Sequence, residues 1–237
     1  MDESAMILVK EFVRKISQGY ANAALCRGED GRYYVVKTRR GAGRDTVVKE
    51  WLCGRVGREL QLPIPDIEQV YFGGAGAKHG ASDELLALTE SAGFGSHYIE
   101  SADEVVATDI PFIEPKLRAR IALFDWWIVN GDCTDWNPNL LWSASRIDLH
   151  VIDHNLAFGN ESSDDFWCHH IFRDDRKSLS DPDFRAQIRP SMDRIIHDLP
   201  RFWAELPEDW TDLCNVTLAQ VDSVLRRCEH DAFWDGR

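Results

Sequence analysis

Between residues 115 and 158 the chain changes its apolar pattern twice, and this change constrains what it can fold into. Residues 115–130, PKLRARIALFDWWIVN, open with a proline suited to a first helical turn. Leu117, Ile121, Phe124 and Ile128 then recur at helical intervals, which predicts a helix with an apolar face. The polar run GDCTDWNPN interrupts it. LLW, a turn at SASRID and LHVIDHNLAF follow, and they predict two short strands flanking a turn. The polar run thus sits between the strongest helix in the sequence and an apolar strand.

Upstream, AALCR and RYYVVK flank a GEDG turn and predict a hairpin of Ala23–Arg27 with Arg32–Lys37. After the loop TRRGAGRD, residues 46–61 carry Val47, Val48, Trp51, Leu52, Val56 and Leu60 at helical spacing. Pro63 and Pro65 end that helix. IEQVYFGG reads as a returning strand, and GGAGAKHGAS, residues 73–82, as a loop. Residues 93–109 show no strong element, so a short joint is placed near 93–96. From 164 onward the pattern is helical and acidic, punctuated by Pro182, Pro190, Pro200 and Pro207. The fold class expected is α+β, with a β-rich domain over residues 1–95 and an α-rich one over 96–237.

Composition narrows the function classes. Among 237 residues, 27 Lys and Arg face 40 Asp and Glu, a formal charge of −13, which argues against a nucleic-acid binder. No apolar run approaches the ~20 residues that cross a bilayer, and MDESAMILVKEF lacks the pattern of an export signal. The six cysteines form no C-x-x-C pair and read as free thiols, so the expected location is cytoplasmic.

The chemistry concentrates in Asn130–Trp142. Asp132 is followed five residues later by Asn137, and the second predicted strand ends in Val151-Ile152-Asp153-His154. A carboxylate to take a hydroxyl proton, with an amide and a second carboxylate to hold Mg²⁺ on ATP phosphates, is the equipment of phosphoryl transfer. A second register, Asp135 with Asn139, is open. Lys37 ends a predicted strand and Glu50 lies early in the next helix, a pairing that suits a phosphate-binding lysine held by a carboxylate. The turn Ser17–Asn22, with Gly19, is positioned to cover phosphates by its backbone N–H groups, although it is not G-x-G-x-x-G. His154, His169 and His170 with Asp153, Asp164 and Asp165 raise a metal-dependent hydrolase as a further reading, but their spacing fits no zinc pattern.

YYVVK, KEWLCGRVGRELQLPIP, GFGS, FDWWIVNGDCTDWNPNLLW and VIDH together resemble the HipA-like kinase family, from about Ser17 to Phe158. The resemblance implies a bilobal protein-kinase-like fold, with a β-rich N-lobe and a mostly helical C-lobe, using ATP and Mg²⁺. It implies Asp132 as catalytic carboxylate, Lys37, Glu50 and Gly19 at the nucleotide, and Asn137 and Asp153 as metal ligands. Phe94–Ser96 would line the adenine. The acceptor implied is a hydroxyl on an unidentified protein, Ser or Thr, or on a small molecule. The chain lacks the additional N-terminal region of the longer toxin members, so toxin behaviour does not follow. A pseudokinase serving as a nucleotide-binding scaffold is the alternative.

Overall fold

The computed structural model describes residues 6–16, 23–73, 92–143 and 148–237. The chain divides into two compact units. Residues 1–51, 65–99 and 205–215 form the first, and 52–64, 100–204 and 216–237 the second.

The first unit is built on a closed five-stranded barrel in the order β1-β2-β3-β5-β4. Its strands are β1 (Ile7–Ile16), β2 (Ala23–Gly28), β3 (Tyr33–Lys37), β4 (Ile67–Phe72) and β5 (Gly93–His97). All neighbours are antiparallel except β1 and β4, which run parallel. The predicted hairpin is β2–β3. Gly31 supplies the positive φ of its turn, 82°. Asp30 fastens the turn to the strand by accepting from the Tyr34 hydroxyl at 2.6 Å and the Arg32 amide at 3.1 Å. Alternation along β2 and β3 buries Ala24, Cys26, Tyr34 and Val36 against Val70 of β4.

Strand β5 stands where the sequence pattern shows no regular element. Glycine disfavours strands in general, yet here two alternate glycines are what let β5 fit between β3 and β4. A Cβ on Gly95 would come within 2.7 Å of a Val70 methyl, and one on Gly93 within 3.1 Å of the Lys37 carbonyl. Helix α1 (Arg39–Ala42) is one turn capped by Thr38. Helix α2 (Thr46–Glu59) follows it and carries Glu50. Its first turns belong to the first unit and its remainder to the second.

The second unit is mainly helical. Helix α3 (Pro115–Ile128) is the predicted helix; Glu114 caps its start. Its end is set by Val129 in the left-handed conformation at φ 53°. A small sheet, β6 (Asp103–Glu104), β7 (Leu140–Ser143) and β8 (Asp148–Val151), contains the predicted second hairpin. Helices α4 (Ser163–His169) and α5 (Pro182–Ala204) follow. Pro190 and Pro200 lie inside α5 rather than ending it. The buried stripe Ile188, Met192, Ile195, Ile196, Leu199 and Phe202 outweighs the ~3 kcal/mol an internal proline costs. Helix α6 (Glu208–Thr211) belongs to the first unit, and α7 (Leu218–Leu225) and α8 (Asp231–Trp234) to the second. Among the described residues no helix is long and apolar enough to cross a membrane.

Trp127 of α3 is fully buried and donates its indole N–H to the Leu225 carbonyl at 2.7 Å. Trp127→Ala is expected to cost about 3–5 kcal/mol, measured by chemical denaturation. Trp127→Phe should cost less, because it removes the hydrogen bond but keeps most of the ring volume.

Candidate active site

In the first unit, Lys37 ends β3 and its Nζ lies 2.5 Å from Oε1 of Glu50. Both side chains are buried, at 8% and 3% exposure. β5 lies across this point, with Phe94 in register with Lys37. A buried ion pair is a poor stabiliser, because desolvating two charges offsets most of their attraction. Its value is geometric: the carboxylate fixes where the ammonium sits. Gly19 and its turn, residues 17–22, lie outside the described residues.

In the second unit the polar loop starts as α3 ends. The left-handed Val129 turns the chain, and the Asn130 amide donates to the Asp125 carbonyl at 2.8 Å. Thr134 and Asn137 then form a tight reverse turn, Thr134 N–H to Asn137 carbonyl at 2.9 Å. This turn folds residue 137 back on residue 132, and Asn137 Nδ2 donates to the Asp132 backbone carbonyl at 3.3 Å. With its nitrogen so used, the half-buried Asn137 side chain offers Oδ1 as its remaining ligand atom. Asn139 has a different place. It is 9% exposed and left-handed at φ 51°, and its Nδ2 spans the Asp132 carboxylate (3.2 Å) and the Asp153 backbone carbonyl (3.3 Å). Asp153, just beyond β8, is also left-handed at φ 58°.

The structure therefore brings Asp132, Asn137, Asn139 and the Asp153 backbone together. Asp135 is not among them; it is exposed and accepts from Arg173 Nη1 at 2.8 and 3.0 Å. Of the six non-glycine residues with positive φ among the described residues, Val129, Asn139, Asp153 and Phe158 lie in this one segment. Asn and Asp tolerate that conformation, whereas a β-branched Val resists it. Such a concentration marks a backbone held for geometry at some cost in energy.

A further carboxylate lies close by. Gly131 leaves its Cα bare against Glu161, whose carboxylate would clash with any Cβ there. Partial burial, and then Asp165 and Asp132, raise the Glu161 carboxyl above its ordinary value, while His169 and His170 work the other way. The predicted histidine group does not gather. His169 is exposed and packs its ring edge on Trp136. His154 is buried against Phe124. His170 instead meets Asp125 of α3, its Nε2 3.1 Å from Oδ2. No sequence motif singles out Asp125 or Cys133. The available signal was a lone carboxylate inside the apolar pattern IALFDWWI, a position that must be buried and so must find partners.

The sequence model of a family described as HipA-like kinase matches residues 9–237. Among solved structures, the chain is similar to the proinflammatory kinase CtkA of Helicobacter pylori. The TM-score is 0.55 at 12% identity, over 95% of this chain and 92% of that one. No curated protein matches the sequence.

Two outcomes are expected from this geometry. Glu50→Ala removes the carboxylate beside a buried ammonium and should cost about 3–5 kcal/mol, whereas the double replacement Lys37→Met with Glu50→Leu should cost less than either single change in equilibrium denaturation. The second concerns pH. Below its ordinary value of 4.5, Glu161 is protonated in the folded and unfolded chains alike and contributes nothing. As pH rises the unfolded chain ionises first, so above the raised folded value the group destabilises the native state. Glu161→Gln is therefore expected to raise the melting temperature at about pH 7 and leave it unchanged at about pH 4.

Proposed function

As the chain belongs to the HipA-like kinase family, we propose that it transfers the γ-phosphate of ATP to a hydroxyl group, with Mg²⁺ as metal and a bilobal protein-kinase-like fold. The domains in this reading are residues 1–95 and 96–237, and the acceptor is a protein Ser or Thr. The observation that carries the proposal is the arrangement about Asp132: its carboxylate is tethered by Asn139, and Asn137 is folded back onto its carbonyl.

The roles follow from the surroundings. Asp132 accepts the proton of the attacking hydroxyl as the oxygen–phosphorus bond forms and ADP leaves. Lys37, steered by Glu50, holds phosphate oxygens. Gly19 contributes to the phosphate-covering turn, and Phe94–Ser96 to the adenine side. The donors assigned to the metal, the Asn137 amide oxygen and the Asp153 carboxylate, are hard oxygens of the kind Mg²⁺ takes. They fit because Asn137 has its nitrogen committed to the backbone. Bound there, Mg²⁺ would neutralise charge on the phosphates. Asn139 is the strut, since its nitrogen is shared by Asp132 and Asp153 and its side chain is buried.

Asp132→Asn is expected to lower phosphate transfer by about 100-fold or more while ATP affinity, read by calorimetry, stays at the wild-type value. Asp153→Asn should remove the Mg²⁺ dependence of ATP binding. Retained turnover in Asp132→Asn would move the proton-accepting role to Asp135. An unchanged metal response would remove Asp153 from the ligand set. ATP binding by the wild type without transfer to any acceptor would make the protein a pseudokinase.

A further inference from the structure

Asn130 and Cys133 flank the two-residue span Gly131–Asp132; Asn130 is hydrogen-bonded to one buried carboxylate and Cys133 lies near it. Asp125 is 1% exposed. Its Oδ1 accepts from Asn130 Nδ2 at 3.2 Å, and its Oδ2 lies 3.1 Å from His170 Nε2. The Cys133 thiol donates to the Pro138 carbonyl at 3.0 Å, and its Sγ lies within 4.8 Å of the Asp125 and His170 ligand atoms. The opposite nitrogen of His170, Nδ1, accepts the Phe172 backbone N–H at 3.1 Å. A ring nitrogen that accepts carries no proton, so the proton of a neutral His170 is on Nε2, directed at Asp125. His170 is also joined to the loop through the backbone: it bridges Thr134, and the Ile171 N–H donates to the Cys133 carbonyl at 3.0 Å.

Asp125, Cys133 and His170 have ligand atoms within 4.8 Å of one another, close enough for a metal ion. The ring orientation argues against one. A metal on Nε2 requires the proton on Nδ1, where it would point at the Phe172 N–H, donor against donor. The Cys133 thiol is fully buried beside two carboxylates, and burial, then Asp125, hold it protonated as a donor rather than a thiolate ligand.

We propose that Asp125 and His170 are positioning residues that fix the Asp132 carboxylate by anchoring the loop on both sides of it. The inference rests on the phosphotransfer reading and names residues that this reading does not itself require. Asp125 touches no reacting atom. It acts through Asn130 on one side and through His170 on the other, whose segment holds Thr134 and Cys133 by backbone contacts.

Two measurements test this. Nitrogen-15 NMR of the histidine rings in the wild type should show His170 with its proton on Nε2. A proton on Nδ1, or stoichiometric zinc in elemental analysis, would overturn the brace whatever the enzyme does. Kinetics of His170→Leu should then show kcat lower by about 100-fold with the Mg²⁺-ATP dissociation constant unchanged. His170→Gln, which keeps an N–H donor at similar reach, should recover most of that loss. Equal losses in both variants, or a full-speed His170→Leu, would overturn the positioning role. If His170→Leu does not fold, Asn130→Ala against Asn130→Gln reads the brace from the loop side: the glutamine, which retains an N–H donor, should keep most of the activity, and equal losses in both would overturn the positioning role. A wild type that transfers no phosphate would instead defeat the phosphotransfer reading, and the NMR result would still decide the hydrogen-bond pattern.

Discussion

A buried carboxylate with nothing to accept from would cost several kcal/mol, and the loop after α3 is arranged around meeting that requirement for Asp125. The backbone leaves the helix through a left-handed Val129, which costs energy in a β-branched residue. That turn brings Asn130 and Cys133 back to the carboxylate, and segment 170–172 closes the other side. The local strain and the buried charge are each unfavourable taken singly. Together they over-determine the path of residues 130–139, so the loop that carries Asp132 is held by several independent contacts.

The first unit solves a similar problem by different means. Lys37 and Glu50 are both withdrawn from water, a costly arrangement that hydrophobic residues of like size would replace without loss of stability. A lysine is a flexible point charge with several rotatable bonds. Fixing its ammonium against a helix carboxylate removes that freedom in advance, so on the proposed reading less ordering entropy would be lost when a phosphate binds. Both units therefore hold polar groups in energetically unfavourable surroundings, and stability is supplied by cores elsewhere: the barrel interior around Tyr34 and Val36, and the helices packed on Trp127.

What was legible in the sequence is what depends on local periodicity. Helix α3, the β2–β3 hairpin and the β7–β8 hairpin follow from apolar spacing and turn residues within a dozen positions. Strand β5 was not legible, because Gly93 and Gly95 are there to fit between neighbours distant in sequence rather than to satisfy strand preference. The continuity of α5 through Pro190 and Pro200 was hidden for a similar reason, since burial overrides the local cost. In the candidate site, the polar run stood out by composition, but the separate places of Asp132 and Asp135 did not. Both are loop aspartates with an asparagine a few residues on. Only the tertiary partners distinguish them: Asn139 for one, exposed Arg173 for the other. Asp125 was masked by the apolar residues around it, and His170 by its neighbour His169, which faces away.

Charge balance sets the last condition on the proposed chemistry. The chain carries a formal −13, and the second unit places Glu161 beside Gly131 and Asp132, with the Asp153 backbone held to the same loop by Asn139. A nucleoside triphosphate, the phosphate donor on the proposed reading, is itself polyanionic. At physiological ionic strength the distant charges are screened over about 8 Å, so the net −13 does not decide binding; the groups within that distance do. In the second unit the Asp132 and Glu161 carboxylates repel each other, and on the proposed reading a divalent ion bound there would offset that charge. On the proposed reading, metal dependence is then a consequence of electrostatics as much as of catalysis: without the ion, the same carboxylates that position the reacting groups would repel the nucleotide.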